Sequence, residues 1–226
     1  GILLLISYTA PFYLFAIGAL CVILLISKQK SPPVINKEGS FKKISIFDNR
    51  VWPFLIVSAS FGICNAALVQ TSSFYFQDVI DPDSTNFIAL ASVGFMLTAL
   101  GILNGQLLIA DRLQTSPGSL IRLGILFIFF SLIGVANSSS LFHIYISLFF
   151  YGLGGGMMGP GISASLSLSV GKENQGSASG FLGMVIPVGH VISPIISMPL
   201  YTINPSYPYL LGSFLMLLCF LFVLIN

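Results

Sequence analysis

Long apolar stretches separated by short polar joints recur along the whole chain. They run for about 18 to 27 residues, the length that an α-helix needs to cross the hydrocarbon core of a bilayer. The pattern predicts full spans at about residues 11–27, 51–77, 85–110, 119–136, 141–170, 176–201 and 209–225. Residues 1–6 are apolar but too few to cross, so we expect them to be the end of a span that begins before this sequence.

Positive charge alternates between the polar joints. All 9 Lys and Arg residues lie in or beside the joints that follow the first, third and fifth full spans: Lys28, Lys30, Lys37, Lys42, Lys43, Arg50, Arg112, Arg122 and Lys172. The intervening joints carry Asp78, Asp81 and Asp83, or no charge. Basic joints remain in the cytoplasm, so the pattern predicts that the 28–50 joint and the C-terminus are cytoplasmic.

The composition excludes a water-soluble domain. The chain is 55% hydrophobic and 7% charged, whereas soluble domains are about 25% charged. The net charge of +2 reflects the cytoplasmic joints and does not indicate a nucleic-acid partner. Cys21, Cys64 and Cys219 lie inside predicted spans, where cysteine behaves as a small hydrophobic residue. The expected partner is therefore the lipid bilayer, with no disulfide framework and no metal site.

Five stretches form a recognisable set: SYTAPFYL at 7–14, GQLLIADR at 105–112, GLGGGMMGPG at 152–161, SASLSL at 163–168 and ENQGSASG at 173–180, with Gly189 and Pro194 on the sixth full span. Together they resemble the C-terminal half of a major facilitator superfamily transporter. The resemblance implies an all-α polytopic bundle. Residues 1–27 would hold the end of the fifth and the whole sixth transmembrane helix, residues 28–50 a basic cytoplasmic linker, and residues 51–226 the C-terminal six-helix bundle.

The 7–14 stretch is similar to the tetracycline-efflux-like drug:proton antiporter branch. The resemblance implies a secondary active transporter that exports small hydrophobic compounds by alternating access. It further implies the proton gradient as energy source without a cofactor, a bacterial inner-membrane location, and a monomer completed by the N-terminal half of the same chain. Two departures from the family pattern concern gating: LQTSP at 113–117 replaces a Gly and a basic cluster, and Ser193 precedes Pro194 where Gly is frequent.

Glycine and proline are concentrated in the fifth and sixth full spans. Glycine is unfavourable in an isolated helix by up to about 1 kcal/mol relative to alanine, but small residues let membrane helices approach closely. Proline frees a carbonyl and bends a helix. We therefore expect packing or bending roles for Gly152, Gly156, Gly159, Pro160, Gly183, Gly189 and Pro194. A mobile, gating pair of helices and simple close packing both fit this pattern.

Few polar groups lie within the predicted spans. Gln70, Ser73, Phe74 and Gln77 follow the three-and-four spacing of one helix face. The predicted substrate-cavity residues are Asn65, Gln70, Ser73, Phe74, Gln77 and His190. Asn, Gln and His can equally hydrogen-bond a neighbouring helix. The resemblance further implies a cytoplasmic gate at Gly105, Asp111 and Arg112, and it implies that the proton-carrying carboxylate lies in the N-terminal half.

The sequence shows no enzyme motif: it has no phosphate-binding loop, no paired His and no Ser-His-Asp set with plausible geometry. Two alternatives to efflux stay open. One is a major facilitator carrier for uptake of a sugar or other metabolite, and the other is an incomplete, inactive half of a carrier.

Overall fold

The computed structural model describes residues 9–28, 44–82, 86–110 and 115–225. This part of the chain is α-helical and contains no β-strand. Its helices are α1 (Ala10–Ser27), α2 (Trp52–Tyr75), α3 (Phe87–Leu103), α4 (Pro117–Ala136), α5 (Leu141–Ser169), α6 (Gln175–Ile203) and α7 (Tyr207–Ile225). The predicted all-α fold is confirmed.

The chain divides into two compact units, Gly1–Phe41 and Lys42–Asn226. The first unit contains α1, whose apolar part Phe12–Ser27 is shorter than the six spanning helices. The second unit contains α2 to α7, all of which are long and apolar enough to cross a membrane. The prediction that residues 28–50 form a linker stays a prediction.

Polar side chains begin and end several helices. Ser116 precedes α4 and its hydroxyl accepts a hydrogen bond from the Ser119 amide at 3.3 Å, while the Ser140 hydroxyl accepts one from the His143 amide at the start of α5. These bonds satisfy amides that have no partner inside the helix. At the end of α4, the Asn137 side chain donates to the Ile133 carbonyl oxygen at 2.8 Å.

Two helices end in a wider, π-helical turn. α2 continues as Phe76–Ile80, and the Asp81 amide donates to the Phe76 carbonyl oxygen at 3.0 Å. α3 continues as Asn104–Ala110. π-Helical turns often occur at functional positions, and here both lie at the ends of helices that contribute residues to the sites described below.

α5 is the central helix of the second unit. It packs mainly on α4 and α3, while α2 packs on α6, and α7 packs on α4 and α2. The largest fully buried side chains include Tyr75, Phe76, Tyr209, Met158 and Met216. Tyr75 and Tyr209 meet edge to face, with ring centroids 5.1 Å apart, so aromatic packing joins α2 to α7 in the core.

Glycines on two faces of α5 allow two different helices to pack closely against it. On one face, Gly152 and Gly156 pack against α3, because a Cβ at Gly152 would overlap the Thr98 carbonyl group. On another face, Gly154 meets Gly124 of α4: a Cβ built on either glycine would lie 2.7 Å from the carbonyl oxygen of the other. Both contacts exclude any side chain at the crossing, which is how small residues promote close packing in membranes.

A third glycine contact joins α2 and α6. A Cβ at Gly189 would lie 2.6 Å from the Gly62 carbonyl carbon, and the Ser193 hydroxyl donates to the Ile63 carbonyl oxygen at 3.1 Å. α6 remains one continuous helix although it contains Pro187, Pro194 and Pro199, and α5 likewise continues through Pro160. The prolines therefore do not divide either helix.

Candidate substrate pathway

Four helices, α2, α3, α5 and α6, converge on a cavity of about 330 Å³. Its walls are mostly apolar, with hydroxyl and amide groups at a few positions, and the lining residues are Ser58, Phe61, Gln106, Met158, Gly159, Pro160, Ile162, Ser163, Leu182 and Ile186. None of these residues is charged. A concave, mainly apolar site with a few polar groups is typical of small-molecule binding.

Gly159 and Pro160, predicted to act in packing or bending, both line this cavity. A Cβ added at Gly159 would meet no atom within 4 Å, so this glycine faces open space, unlike Gly152 and Gly156 on the same helix. Gln106 comes from the π-helical end of α3. Gly159 therefore leaves space for the cavity because it has no side chain, and the turn that carries Gln106 forms part of the wall.

Phe61 forms part of the wall and packs on the buried Tyr151, which does not itself line the cavity. The Phe61 ring stacks on the Tyr151 ring, with centroids 6.2 Å apart and planes 22° apart, and Gly155 lies under Phe61. Tyr151 is only 2% exposed, and its hydroxyl has no hydrogen-bond partner among the described residues. Sequence reasoning did not single out Phe61, because the chain has 20 Phe and no local signal separates a lining Phe from a lipid-facing one.

The predicted cavity residues of α2 lie elsewhere. Asn65, Gln70 and Ser73 are half-buried and do not line this cavity. The side-chain amide oxygen of Gln70, Oε1, is buried and has no hydrogen-bond partner in the part of the chain that the structure describes. These residues belong to α2 between Cys64 and Tyr75, whereas the cavity contacts the part of α2 near Ser58.

The remaining α2 candidates lie at the end of the bundle that carries Asp78, which we call the Asp78 end. Gln77 is exposed within the π-helical turn, and the exposed Phe74 ring packs against Tyr201 of α6 at 6.3 Å between centroids. The Tyr201 hydroxyl donates to the Asp78 carboxylate at 2.9 Å. Sequence reasoning missed this contact, because residues 123 positions apart give no local sign that they meet. It joins α2 to α6 at the Asp78 end.

His190 lies on an uncovered face of α6. Its side chain is exposed, and its Nδ1 contacts the Ile186 carbonyl oxygen of the same helix at 3.1 Å. Gly183 shares this face, and a Cβ there would meet no atom within 4 Å. Pro194 of the same helix is half-buried. The described residues therefore give His190 no partner on another helix, so a contact across this face has to come from a molecule or segment outside them.

α3 and α6 are the least covered helices of the bundle. Within their most apolar stretches 17% of residues are buried, against 50% for α2 and α4 and 56% for α5. Both helices nevertheless contribute to the cavity wall. They therefore border the cavity while leaving one face uncovered by the described residues.

Of the three residues predicted to form the cytoplasmic gate, the structure describes Gly105. Gly105 is buried against α5, where a Cβ would lie 3.1 Å from the Gly156 Cα. Asp111 and Arg112 lie outside the described residues, so their gate role stays a prediction. Among the described residues no group of three His, Cys, Asp or Glu could hold a metal ion.

Comparison with known proteins agrees with this architecture. The sequence model of the Major Facilitator Superfamily matches residues 1–194 and, in a second match, residues 108–226. Among solved structures, the in meso crystal structure of the POT family transporter PepTSo superimposes with a TM-score of 0.67 at 18% sequence identity, over 78% of this chain. The matched part is 37% of that transporter, and at this identity the likeness concerns the fold. No curated protein matches the sequence.

The family match covers more than half of the chain, and the six spanning helices form the bundle that the fold requires. The protein is thus a multi-pass membrane protein of a transporter family rather than an enzyme: the chain belongs to the Major Facilitator Superfamily.

Proposed function

We propose that this bundle forms one wall of the substrate pathway in a secondary active transporter that exports small hydrophobic compounds in exchange for protons. The observation that carries the proposal is the cavity where α2, α3, α5 and α6 converge, whose described lining holds aromatic, aliphatic, hydroxyl and amide groups but no charge. A ligand that is mainly apolar would bury its surface there without leaving a charge unpaired. The resemblance of the 7–14 stretch to the drug:proton antiporter branch supports export.

The second wall of the pathway would come from the N-terminal half of the same chain. The uncovered face of α6 carries small residues, among them Gly180 and Gly183, where an added Cβ would meet nothing within 4 Å. Small residues allow a close approach of another helix. We propose that this face and the free face of α3 contact the N-terminal half and change their contacts during alternating access.

Proton coupling would use a group outside this cavity. No carboxylate is present among its described lining residues, and a proton-coupled carrier needs an intramembrane carboxylate or comparable relay. We therefore place the proton-carrying group in the N-terminal half. Asp111 and Arg112 would act with Gly105 at the cytoplasmic gate, in a protein of the bacterial inner membrane with residues 28–50 and the C-terminus in the cytoplasm.

The test uses the full-length protein in inverted membrane vesicles whose lumen has been acidified. Lipophilic dyes and antibiotics of graded size are added, and luminal alkalinisation reports proton exit in exchange for the compound. We expect some members of the panel to raise the luminal pH. No response to any compound, together with accumulation of a sugar or other metabolite in whole cells, would overturn the efflux proposal and favour uptake.

A substitution series at Gly159 tests whether the cavity is the substrate site. Gly159→Ala and Gly159→Leu add side chains of increasing size into open space, so the fold should tolerate both. We expect Gly159→Leu to abolish transport of the largest compounds and to reduce that of the smallest much less, with Gly159→Ala intermediate. A loss that is the same for every compound size would contradict the assignment of the substrate to this cavity.

A further inference from the structure

A second and larger cavity, of about 620 Å³, lies at the end of the bundle where α2 and α4 begin and α5 and α7 end. We call it the Arg122 cavity. Its inner wall is apolar and includes Val57, Ile121, Ile162 and Phe222. It shares only Ile162 with the cavity of the substrate pathway. Its volume is within the range of about 300 to 1,000 Å³ that is usual for small-molecule pockets.

The charged groups that line this cavity are both arginines. Arg50 is held by Asp48, because its Nε and Nη2 donate to the two carboxylate oxygens at 3.0 and 2.9 Å. Arg122 makes only long contacts, from Nε to the Gly118 carbonyl oxygen at 3.4 Å and from Nη2 to the Ser119 hydroxyl at 3.5 Å. Within the described residues Arg122 has no carboxylate partner, so among them its guanidinium is the positive charge at this cavity that no carboxylate holds.

From the helix ends that surround the cavity, we infer that it lies near the depth of lipid headgroups. Its lining residues lie near the ends of four spanning helices. Trp52 stands beside it: its ring packs against Phe222 with centroids 5.5 Å apart and planes 54° apart, and its Nε1 donates to the Asn49 side chain at 3.3 Å. Tryptophan is enriched where the hydrocarbon region meets water, since its ring is apolar and its N–H is polar. The cavity therefore combines a cation at the interface with an apolar wall.

We propose that the Arg122 cavity binds an anionic phospholipid of the surrounding bilayer. The Arg122 guanidinium would donate to the phosphate, a geometry that the planar fork of arginine suits, and an acyl chain would lie against Val57, Ile121 and Phe222. Basic pockets between helices on the cytoplasmic side are a known means of holding anionic headgroups. One bound lipid would contact α2, α4, α5 and α7 at the same end of the bundle and so hold these four ends together.

Trp52 supplies a direct reporter, because it is the only Trp in this sequence. The full-length protein is purified with Trp52 as its only tryptophan, and its fluorescence is measured in mixed micelles with brominated phosphatidylglycerol or brominated phosphatidylcholine. We expect phosphatidylglycerol to quench Trp52 at about fivefold lower mole fraction, the factor that one basic residue near an anionic surface contributes. Quenching at equal mole fractions by the two lipids would overturn the proposal.

Matched variants separate the cavity from general surface charge. Arg122→Gln should remove the preference for phosphatidylglycerol, and Arg122→Lys should retain most of it. Lys172→Gln removes an equal charge near the end of α5 without lining the cavity, so it should leave the preference unchanged. Equal effects of Arg122→Gln and Lys172→Gln would show a diffuse electrostatic attraction and overturn the site.

Two further measurements test the cavity itself and the source of the phosphate. Gly118 lines the cavity, and a Cβ there would meet no atom within 4 Å. Gly118→Phe therefore starts a large side chain from open space and should reduce quenching by both lipids. Soluble glycerol phosphate at millimolar concentration should not relieve the quenching by phosphatidylglycerol. Complete relief would show that the site binds a free anion rather than a lipid.

Discussion

Substitution of Gly152 by alanine should separate α3 from α5. The added Cβ would lie 2.8 Å from the Thr98 carbonyl carbon and 3.0 Å from its Cα, with the carbonyl oxygen closer still. Carbon atoms in contact are normally about 3.5 to 4.0 Å apart, so the two backbones would have to move apart by at least about 0.7 Å. Backbone cannot rotate aside as a flexible side chain can, and therefore the whole crossing has to shift.

The expected cost follows from two opposing contributions. Overpacking of a tight contact destabilises by about 1 to 3 kcal/mol, while alanine is a better helix former than glycine by up to about 1 kcal/mol. Because the overlap is with backbone atoms of Thr98, the overpacking cost should be about 2 to 3 kcal/mol, the upper half of that range, and the net loss about 1 to 2 kcal/mol. At about 2 to 4 °C per kcal/mol for a domain of this size, the Tm should fall by about 2 to 8 °C.

Gly159→Ala is the matched control, since it makes the same change in the same helix where a Cβ meets nothing within 4 Å. It should leave the Tm unchanged or raise it. The assay is thermal unfolding of the full-length protein in detergent, followed by the loss of the monomer peak in size-exclusion chromatography. If Gly152→Ala unfolded at the same temperature as Gly159→Ala, the close approach of α3 and α5 would not exist in the protein.

Three further predictions concern single side chains. The side chain and the backbone amide of Arg50 both donate to the Asp48 carboxylate, which holds the pKa of Asp48 at about 2 instead of 3.8. Asp48→Asn should therefore be less stable than the wild type above about pH 4. In pH-dependent unfolding, this difference should vanish as the pH falls towards 2. Tyr201→Phe removes the bond to Asp78 and should lower unfolding stability by about 1 kcal/mol, whereas Asp78→Asn keeps an acceptor and should lose less. Tyr151→Phe removes a buried hydroxyl without a described partner, so the Tm should hold or rise, and a clear fall would reveal a partner.

The helices and their membrane character could be predicted from local sequence alone. Spans of apolar residues must form helices in a bilayer, because each backbone amide needs a partner inside the segment. The predicted span from 141 to 170 corresponds to α5 at Leu141–Ser169, and that from 176 to 201 to α6 at Gln175–Ile203. The π-helical ends of α2 and α3 had no such signal, since hydropathy does not distinguish a π-turn from an α-turn.

The candidate site was less predictable, because lining a cavity is a property of several helices at once. The three-and-four spacing grouped Gln70 with Phe74 and Gln77, and the substrate role of these residues stays a prediction. The cavity described above borders α2 near Ser58 and Phe61. Membrane helices have apolar residues on every face, so periodicity gives little indication of which face points inward. The contact between Tyr201 and Asp78 depends on the relative depth of two helices, which no single stretch encodes.

The glycines of α5 show most clearly what the sequence determined and what the tertiary structure decided. The sequence alone determined that a helix with Gly152, Gly156 and Gly159 needs close neighbours to be stable, because an isolated helix would lose the packing that offsets its unfavourable propensity. Only the tertiary structure decided that α3 packs against Gly152 and Gly156, whereas Gly159 faces a cavity. The physical reason is that a missing side chain permits either a neighbour or an empty space, and the choice between them rests on where the other helices lie.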